Sequence, residues 1–339
     1  IVNGKMRNRM ISWLLFLTCL SGLTACIREE EYTNDPIGNF DQLWKIIDER
    51  YCFLDYKGID WKKIGERKRK FIEPEMDDRD LFQVLSDMLY ELQDGHVNLT
   101  STDNQTYFDF WLDSPRNFSE ATIESNYYLG QNYQQTAGFK YKILNDKVGY
   151  IYYEKFSEGI DNNDLDRVFS YFSNCKGLII DVRQNSGGNA TNSAKIASRF
   201  TEKKILTGYI CHKTGPGHND FSEPYAIYLE PAKGIRWQKK VAVLTNRHSY
   251  SATNDFVNHM RCLPNVTIVG DKTGGGSGMP FSSELPNGWT IRFSASPHFD
   301  KNMNHIEWGI NPDVKVDINY KDEANGFDTI IEEARKLLK

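Results

Sequence analysis

The residues of this sequence best placed to do chemistry begin at position 246. Residues 241–245 read as a buried strand, a polar turn follows, and Ser251 opens the next helix. A hydroxyl at a strand-to-helix turn stands beside unpaired helix N-terminal amides, the setting an acyl-transfer nucleophile needs. An N-cap serine before a flexible loop would look the same. Upstream, Asp181-Val182-Arg183-Gln184-Asn185-Ser186-Gly187-Gly188 joins an apolar strand to a helix. Paired glycines at such a junction let backbone amides approach a ligand closely, as an oxyanion hole requires, although a tight turn explains them equally well. A third piece, the late segment Ile306–Asp313, puts a carboxylate in a loop restricted by Pro312, and elsewhere in the chain a histidine, His96, follows the helix-ending Gly95.

Elements of two kinds must position these groups. Residues 40–99 predict a small helical bundle. Phe40, Leu43, Trp44, Ile46 and Ile47 fall at helical spacing, and Trp61, Ile64 and Phe71 continue in a second helix. Asp80 is expected to cap a third, whose apolar stripe runs through Leu81, Val84, Leu85, Met88, Leu89 and Leu92. Residues 100–145 are polar and aromatic and read as short strands or an irregular linker. From residue 146 to 339, apolar strands at 148–153, 177–182 and 241–245 alternate with helices at 164–172, 190–200 and 251–262, which indicates an α/β core. Residues 289–295 add a strand, and 327–338 an amphipathic closing helix.

With 339 residues, 40% of them hydrophobic, the chain has material for two compact units and is not of a disordered class. The formal charge is −5, without basic clusters, which argues against nucleic acid as a partner. Residues 1–25 have the layout of a signal peptide, with Met6 as a start. Arg7 and Arg9 precede a short apolar run that closes on Leu23-Thr24-Ala25-Cys26. That ending resembles a lipobox, so Cys26 is the expected lipidation site and residues 26–39 a tether, in a bacterial envelope protein held at the outer membrane, periplasmic or surface-exposed, by its lipid alone. The acidic run behind Cys26 is a hint of surface export. Cys52, Cys175, Cys211 and Cys262 are scattered singly and read as core thiols; no metal-ligand spacing and no cofactor motif is visible.

In order along the chain, these motifs resemble those of the tail-specific, or C-terminal-processing, serine proteases and their relative, the tricorn protease core. The segment D-V-R-Q-N-S-G-G is similar to the family's D-x-R-x-N-x-G-G, and S-Y-S-A-T-N-D to its S-A-S-A-S-E helix start. V-G-D-K-T-G-G-G resembles the G-x-x-T-x-G-K-G loop, E-W-G-I-N-P-D-V the closing G-I-x-P-D, and residues 92–97 the L-x-D-G-H-V element of the N-terminal bundle. The resemblance implies a ClpP/crotonase-like α/β protease core behind the bundle, Ser251 as nucleophile, and Ala252 with Gly187 or Gly188 as oxyanion donors.

The departures choose the branch. The C-terminal-processing enzymes use a serine–lysine dyad with the lysine 25 residues after the serine, and that position is Gly276. The tricorn-like branch takes a histidine from the N-terminal element and a glutamate from the late segment, which become His96 and Glu307. The serine that precedes that histidine is here Gly95, so Asp94 or a backbone carbonyl must fix the ring's tautomer. Lys272, in the glycine loop, is the alternative base. A silent member that binds peptide or an apolar ligand in the same groove is the alternative function. His212, His248, His259 and His298 read as structural or exposed. Only about fifty residues separate His96 from Lys147, too few for a PDZ module and its links, so peptides or unfolded segments laid beside the core sheet are the expected substrates.

Overall fold

A computed structural model describes residues 32–109, 114–156 and 159–339. The signal-peptide layout and Cys26 lie outside the described residues. Ten α-helices are assigned there: α1 (Pro36–Arg50), α2 (Leu54–Lys57), α3 (Trp61–Lys68), α4 (Asp78–Tyr90), α5 (Glu120–Ile123), α6 (Asn162–Tyr171), α7 (Ala190–Ala197), α8 (Ala252–Met260), α9 (Tyr320–Ala324) and α10 (Thr329–Leu337). The strands are β1 (Asn98–Thr100), β2 (Gln134–Thr136), β3 (Phe139–Ile143), β4 (Val148–Tyr153), β5 (Gly177–Asp181), β6 (Ile205–Ile210), β7 (Tyr225–Leu229), β8 (Val241–Thr245), β9 (Val266–Gly270), β10 (Gly278–Glu284), β11 (Thr290–Asp300) and β12 (Val314–Lys315).

Seven strands form one sheet in the order β12-β9-β8-β5-β4-β3-β2. From β12 to β4 the pairs are parallel, and β3 and β2 add as an antiparallel hairpin. β4, β5 and β8 are buried along their whole length, so they read as unbroken apolar runs rather than alternating ones. One face of this sheet packs on Leu165, Val168 and Phe169 of α6, Ile196 of α7 and Phe256, Val257 and Met260 of α8. The other packs on Ile330, Ile331 and Ala334 of α10. The turns after β5, β8 and β9 carry the three motif loops to one edge, where the C-terminal ends of parallel strands offer a crevice.

A second, antiparallel sheet runs β1-β11-β6-β7, with β10 pairing β11 off that path. It completes the helical bundle. Leu285, Trp289, Ile291 and Phe293 share one buried cluster with Phe40, Leu43, Ile47, Trp61, Leu85, Met88 and Leu92. The indoles of Trp44 and Trp61 each donate to the other's carbonyl, at 3.2 and 3.0 Å, and stitch α1 to α3. Gly65 keeps that contact open, because a Cβ there would lie 2.3 Å from the Trp44 indole nitrogen.

Two expectations need correction. Asp77, not Asp80, caps α4; its carboxylate accepts from the Asp80 amide at 2.9 Å, which uses an otherwise orphaned donor. Nor does Gly95 end that helix. The left-handed residue is Gln93, at φ 49°, after a turn in which Leu92 and Gln93 bond back to Leu89 and Tyr90. Gly95 is left for the turn that carries His96.

Candidate active site

Ser251 sits between β8 and α8 with φ 58° and ψ −123°, a conformation that non-glycine residues rarely hold. Four contacts over-determine it. Its amide donates to the Gly275 carbonyl at 2.8 Å and its carbonyl accepts from Asp255 at 3.1 Å, while Tyr250 donates to Asn185 O at 3.1 Å and accepts from Thr253 at 3.1 Å. The strained turn lifts the hydroxyl out of the helix, and no side-chain cap bond ties it down.

The glycine loop is the shelf beneath this turn. Gly274 donates to Ser249 O, Gly276 to Glu307 O and Thr273 to Ile310 O. A Cβ at Gly275 would lie 1.8 Å from the Glu307 carbonyl, and one at Gly309 would lie 2.1 Å from that of Thr273. Only hydrogen at those positions lets the two loops touch. Thr273 Oγ1 donates to Asn254 and accepts from the Ile310 amide, both at 2.6 Å, which locks the shelf to α8.

The D-V-R-Q-N-S-G-G motif divides its labour. Asp181 and Arg183 form a fully buried ion pair at 2.7 Å, with Asp328, the N-cap of α10, at 2.8 Å from the same guanidinium. Asn185 is a staple. Its amide donates to Tyr153 O at 2.9 Å, and its carbonyl oxygen accepts from Thr253 at 2.7 Å and from the Gly187 amide at 3.0 Å. That last bond occupies the Gly187 N–H. Gly188 (φ 134°) and Ala252 make no backbone hydrogen bond through their amides among the described residues. Gly187 lies against the nucleophile turn, since a Cβ there would sit 2.8 Å from Ser251 Cβ and 3.0 Å from the Ala252 nitrogen.

His96 arrives from the bundle side, 155 residues away, with Nε2 2.9 Å from Ser251 Oγ. The Asp94 carboxylate accepts from the His96 amide at 2.8 Å, which fixes the turn. It also accepts from Tyr51 OH at 3.0 Å and Ser294 Oγ at 2.8 Å. Nδ1 of the buried ring makes no contact of full hydrogen-bond geometry, and the Gly278 backbone is the neighbour that favours a proton on the ring. Asp94 therefore steers His96 through its backbone rather than by gripping the ring. Burial pushes the His96 pKa down to about 4, against the opposing pull of the Asp94 charge. At neutral pH the ring is uncharged, as a proton acceptor must be.

Glu307 is buried and does not face open solvent. Oε1 pairs with Lys57 Nζ at 2.9 Å, and Oε2 accepts from the Ser277 amide at 2.8 Å. Burial and the charge of Asp94 push its pKa up to about 7. Burial would lower the Lys57 pKa, but Asp94 and Glu307 outweigh it, so the amine stays charged.

Gly276 explains the missing lysine. A Cβ at that position would lie 2.3 Å from Tyr250 Cζ. The Tyr250 ring fills the space in which a side chain at position 276 would stand, and packs at a 55° tilt against the His96 ring, with centroids 4.9 Å apart. Lys272 lines a cleft of about 280 Å³ with Gln93, Gly95, Arg247, Tyr250 and Trp308, but no hydrogen bond or ion pair joins it to Ser251. Among the other histidines, His259 bonds Thr207, His298 bonds Asp255 and His212 bonds Ser296, while His248 is half-buried. Cys52, Cys175, Cys211 and Cys262 are free thiols. No cluster of three metal-ligating side chains occurs among the described residues.

Lys57, Tyr51, Ser294 and the Tyr250 ring went unread in the sequence. Lys57 carries no local signal, because its partners lie at positions 94 and 307.

The comparisons with known proteins agree with this construction. Residues 32–90 match the tricorn protease C1 domain, and residues 147–316 match peptidase family S41. A crystal structure of a candidate peptidase from Parabacteroides merdae ATCC 43184 is 51% identical, with a TM-score of 0.85, over 90% of this chain and 97% of that one. A candidate tricorn-like protease C-terminal subunit from Sulfurisphaera tokodaii is 27% identical over 210 residues, 57% of this chain and 21% of that protein. A candidate CtpA-like serine protease from Staphylococcus aureus is 25% identical over 174 residues, 50% of this chain and 34% of that protein. The chain thus spans about a fifth to a third of the curated relatives it matches. A tricorn-type N-terminal segment, an S41 match that takes in the Ser251 turn, and a structural counterpart over 90% of the chain lead to one assignment: this chain belongs to peptidase family S41.

Proposed function

We propose that the protein is a serine peptidase in which Ser251 is the nucleophile and neutral His96 the general base. The observation that carries this reading is the 2.9 Å approach of His96 Nε2 to Ser251 Oγ. The hydroxyl attacks the scissile carbonyl while Nε2 takes its proton. The ring then returns the proton to the leaving amine, and water repeats the sequence on the acyl-enzyme. The amides of Ala252 and Gly188 hold the oxyanion, where one donor is worth about 10²–10³ in rate. Gly187, whose amide serves Asn185, keeps the turn thin enough for the approach. Glu307 supports the site from behind Ser277. Peptides and unfolded protein segments are the proposed substrates.

Residues 1–26 support export and lipidation at Cys26, which would hold the enzyme at the bacterial envelope. Among the described residues no helix is long and apolar enough to cross a membrane. Metabolic labelling with a radioactive fatty acid, compared with Cys26→Ser, tests the anchor; equal labelling of both would refute it. A fluorophosphonate probe and a mixed peptide library test the chemistry. Ser251 is expected to carry the probe and Ser251→Ala to lose both labelling and cleavage; a wild-type protein that neither labels nor cleaves is a silent binder.

A further inference from the structure

The chemistry of the site leaves one buried cation unexplained. Lys57, the last residue of α2, exposes 2% of its side chain. Its ammonium has three protons, and three acceptors take them: Leu92 O at 3.2 Å, Gln93 O at 3.1 Å and Glu307 Oε1 at 2.9 Å. Asp94 Oδ2 stands 3.8 Å away, and the Trp308 ring covers the group with its centroid at 4.7 Å. Two of those acceptors lie on the turn that ends at His96, and the third lies on the late loop that shelters the glycine shelf. The cation therefore joins the turn carrying His96 to the late loop, which in turn holds the glycine shelf beneath Ser251.

We propose that Lys57 is a positioning residue for the reaction: it sets the distance between His96 and Ser251 and neutralises Asp94, the carboxylate that accepts from the His96 amide. The proposal rests on the Ser251–His96 reading. The charged and titratable groups that act on the ring are Asp94 from its own turn, Arg292 from β11 and Asp255 from α8. Lys57 in turn feels Asp94, Glu307 and Cys52. Without Lys57, the Asp94 charge acts on the ring with Arg292 still set against it, and holds a proton on the ring to higher pH.

The test compares Glu307→Gln with the double variant Lys57→Met/Glu307→Gln, because Lys57→Met alone strands two buried carboxylates and is expected to fold poorly. Peptide hydrolysis and fluorophosphonate labelling are followed against pH, together with the melting temperature. The double variant, which leaves only Asp94 without its counter-ion, is expected to fold and to melt somewhat below Glu307→Gln. Its kcat should nevertheless fall by about 10²-fold with KM nearly unchanged, the scale of an ångström-sized misplacement. The acid limb of its labelling should move up by about one pH unit. Wild-type-like kcat and an unmoved acid limb would overturn the proposal. So would a double variant that fails to fold, since Lys57 would then be a stability residue. A wild-type protein that is not labelled at all defeats the Ser251–His96 reading instead.

Discussion

The Tyr250 ring occupies the space into which a side chain at Gly276 would grow, 2.3 Å from where its Cβ would stand. Tyr250, the residue before Ser251, thereby leaves no room for a base at position 276, which supports the proposed role of His96 on the opposite flank. Gly276→Lys is accordingly expected not to install a serine–lysine dyad. It should lower stability and labelling together, with φ 74° adding backbone strain of about 1–3 kcal/mol. His96→Ala should abolish fluorophosphonate labelling, whereas Lys272→Ala should keep it. Labelling that survives in His96→Ala and fails in Lys272→Ala would reverse the assignment of the base.

The depressed pKa of His96 gives a pH profile with a definite sign. Neutral imidazole persists down to about pH 4, so labelling should hold through pH 5 and fall by half near pH 4. A limb near the ordinary histidine value of about 6.5 would mean that the ring is solvated. The same shift acts on stability. The folded pKa lies below the unfolded one, so the contribution is complete above about pH 6.5 and is lost as pH falls toward 4, by roughly 3 kcal/mol in all. Glu307 works in the opposite direction. Its folded value, raised to about 7, gives a contribution present below about pH 4.5 and lost as pH rises through 7. Melting temperatures of wild type, His96→Gln and Glu307→Gln between pH 4 and 8 should separate the two slopes.

Much of this was legible locally, and the remainder was not for a physical reason. Ser251, the paired glycines and the buried strands β4, β5 and β8 announce themselves through short-range pattern, because strand burial and turn chemistry are written in neighbouring residues. His96 was found only by resemblance, since nothing near position 96 reports a partner at 251. The split of the oxyanion candidates was invisible for the same reason: Gly187 and Gly188 are equivalent in sequence until Asn185 folds back onto the first. The second sheet was missed except for β11. β10 carries Pro280 and is mostly solvent-facing, and β6 and β7 are neither fully buried nor cleanly alternating. The bundle looked self-contained, yet its core is closed by Trp289, Ile291 and Phe293, some two hundred residues later.

Gly187 offers a test of the turn that leaves the reacting side chains themselves unchanged. Gly187→Ala should lower kcat by at least about 10²-fold. The new methyl meets Ser251 Cβ and Tyr250 O at 2.8 Å, and φ 102° is closed to alanine without strain. Gly58→Ala serves as a control. It too has a positive φ, 66°, but nothing lies within 4 Å of the new Cβ. A kcat loss of equal size in both variants would point to global strain rather than to the nucleophile turn.

The deepest charge in the core gives the largest stability effect. Arg183 is fully buried between Asp181 and Asp328, and its guanidinium also donates to Asn117 O at 3.1 Å. Arg183→Met leaves two carboxylates without a counter-ion, a loss of about 3–5 kcal/mol. The effect should reach the site only through the fold. Asp181 ends β5 and Asp328 caps α10, so both faces of the sheet loosen together while Ser251 and His96 keep their own partners. Chemical denaturation should show a lowered midpoint with an unchanged slope, and the fraction still folded should label at the wild-type rate. Adding Asp328→Asn should recover part of the loss by removing one stranded charge. If Arg183→Met instead labels slowly while fully folded, the ion pair tunes the oxyanion turn and is part of the site.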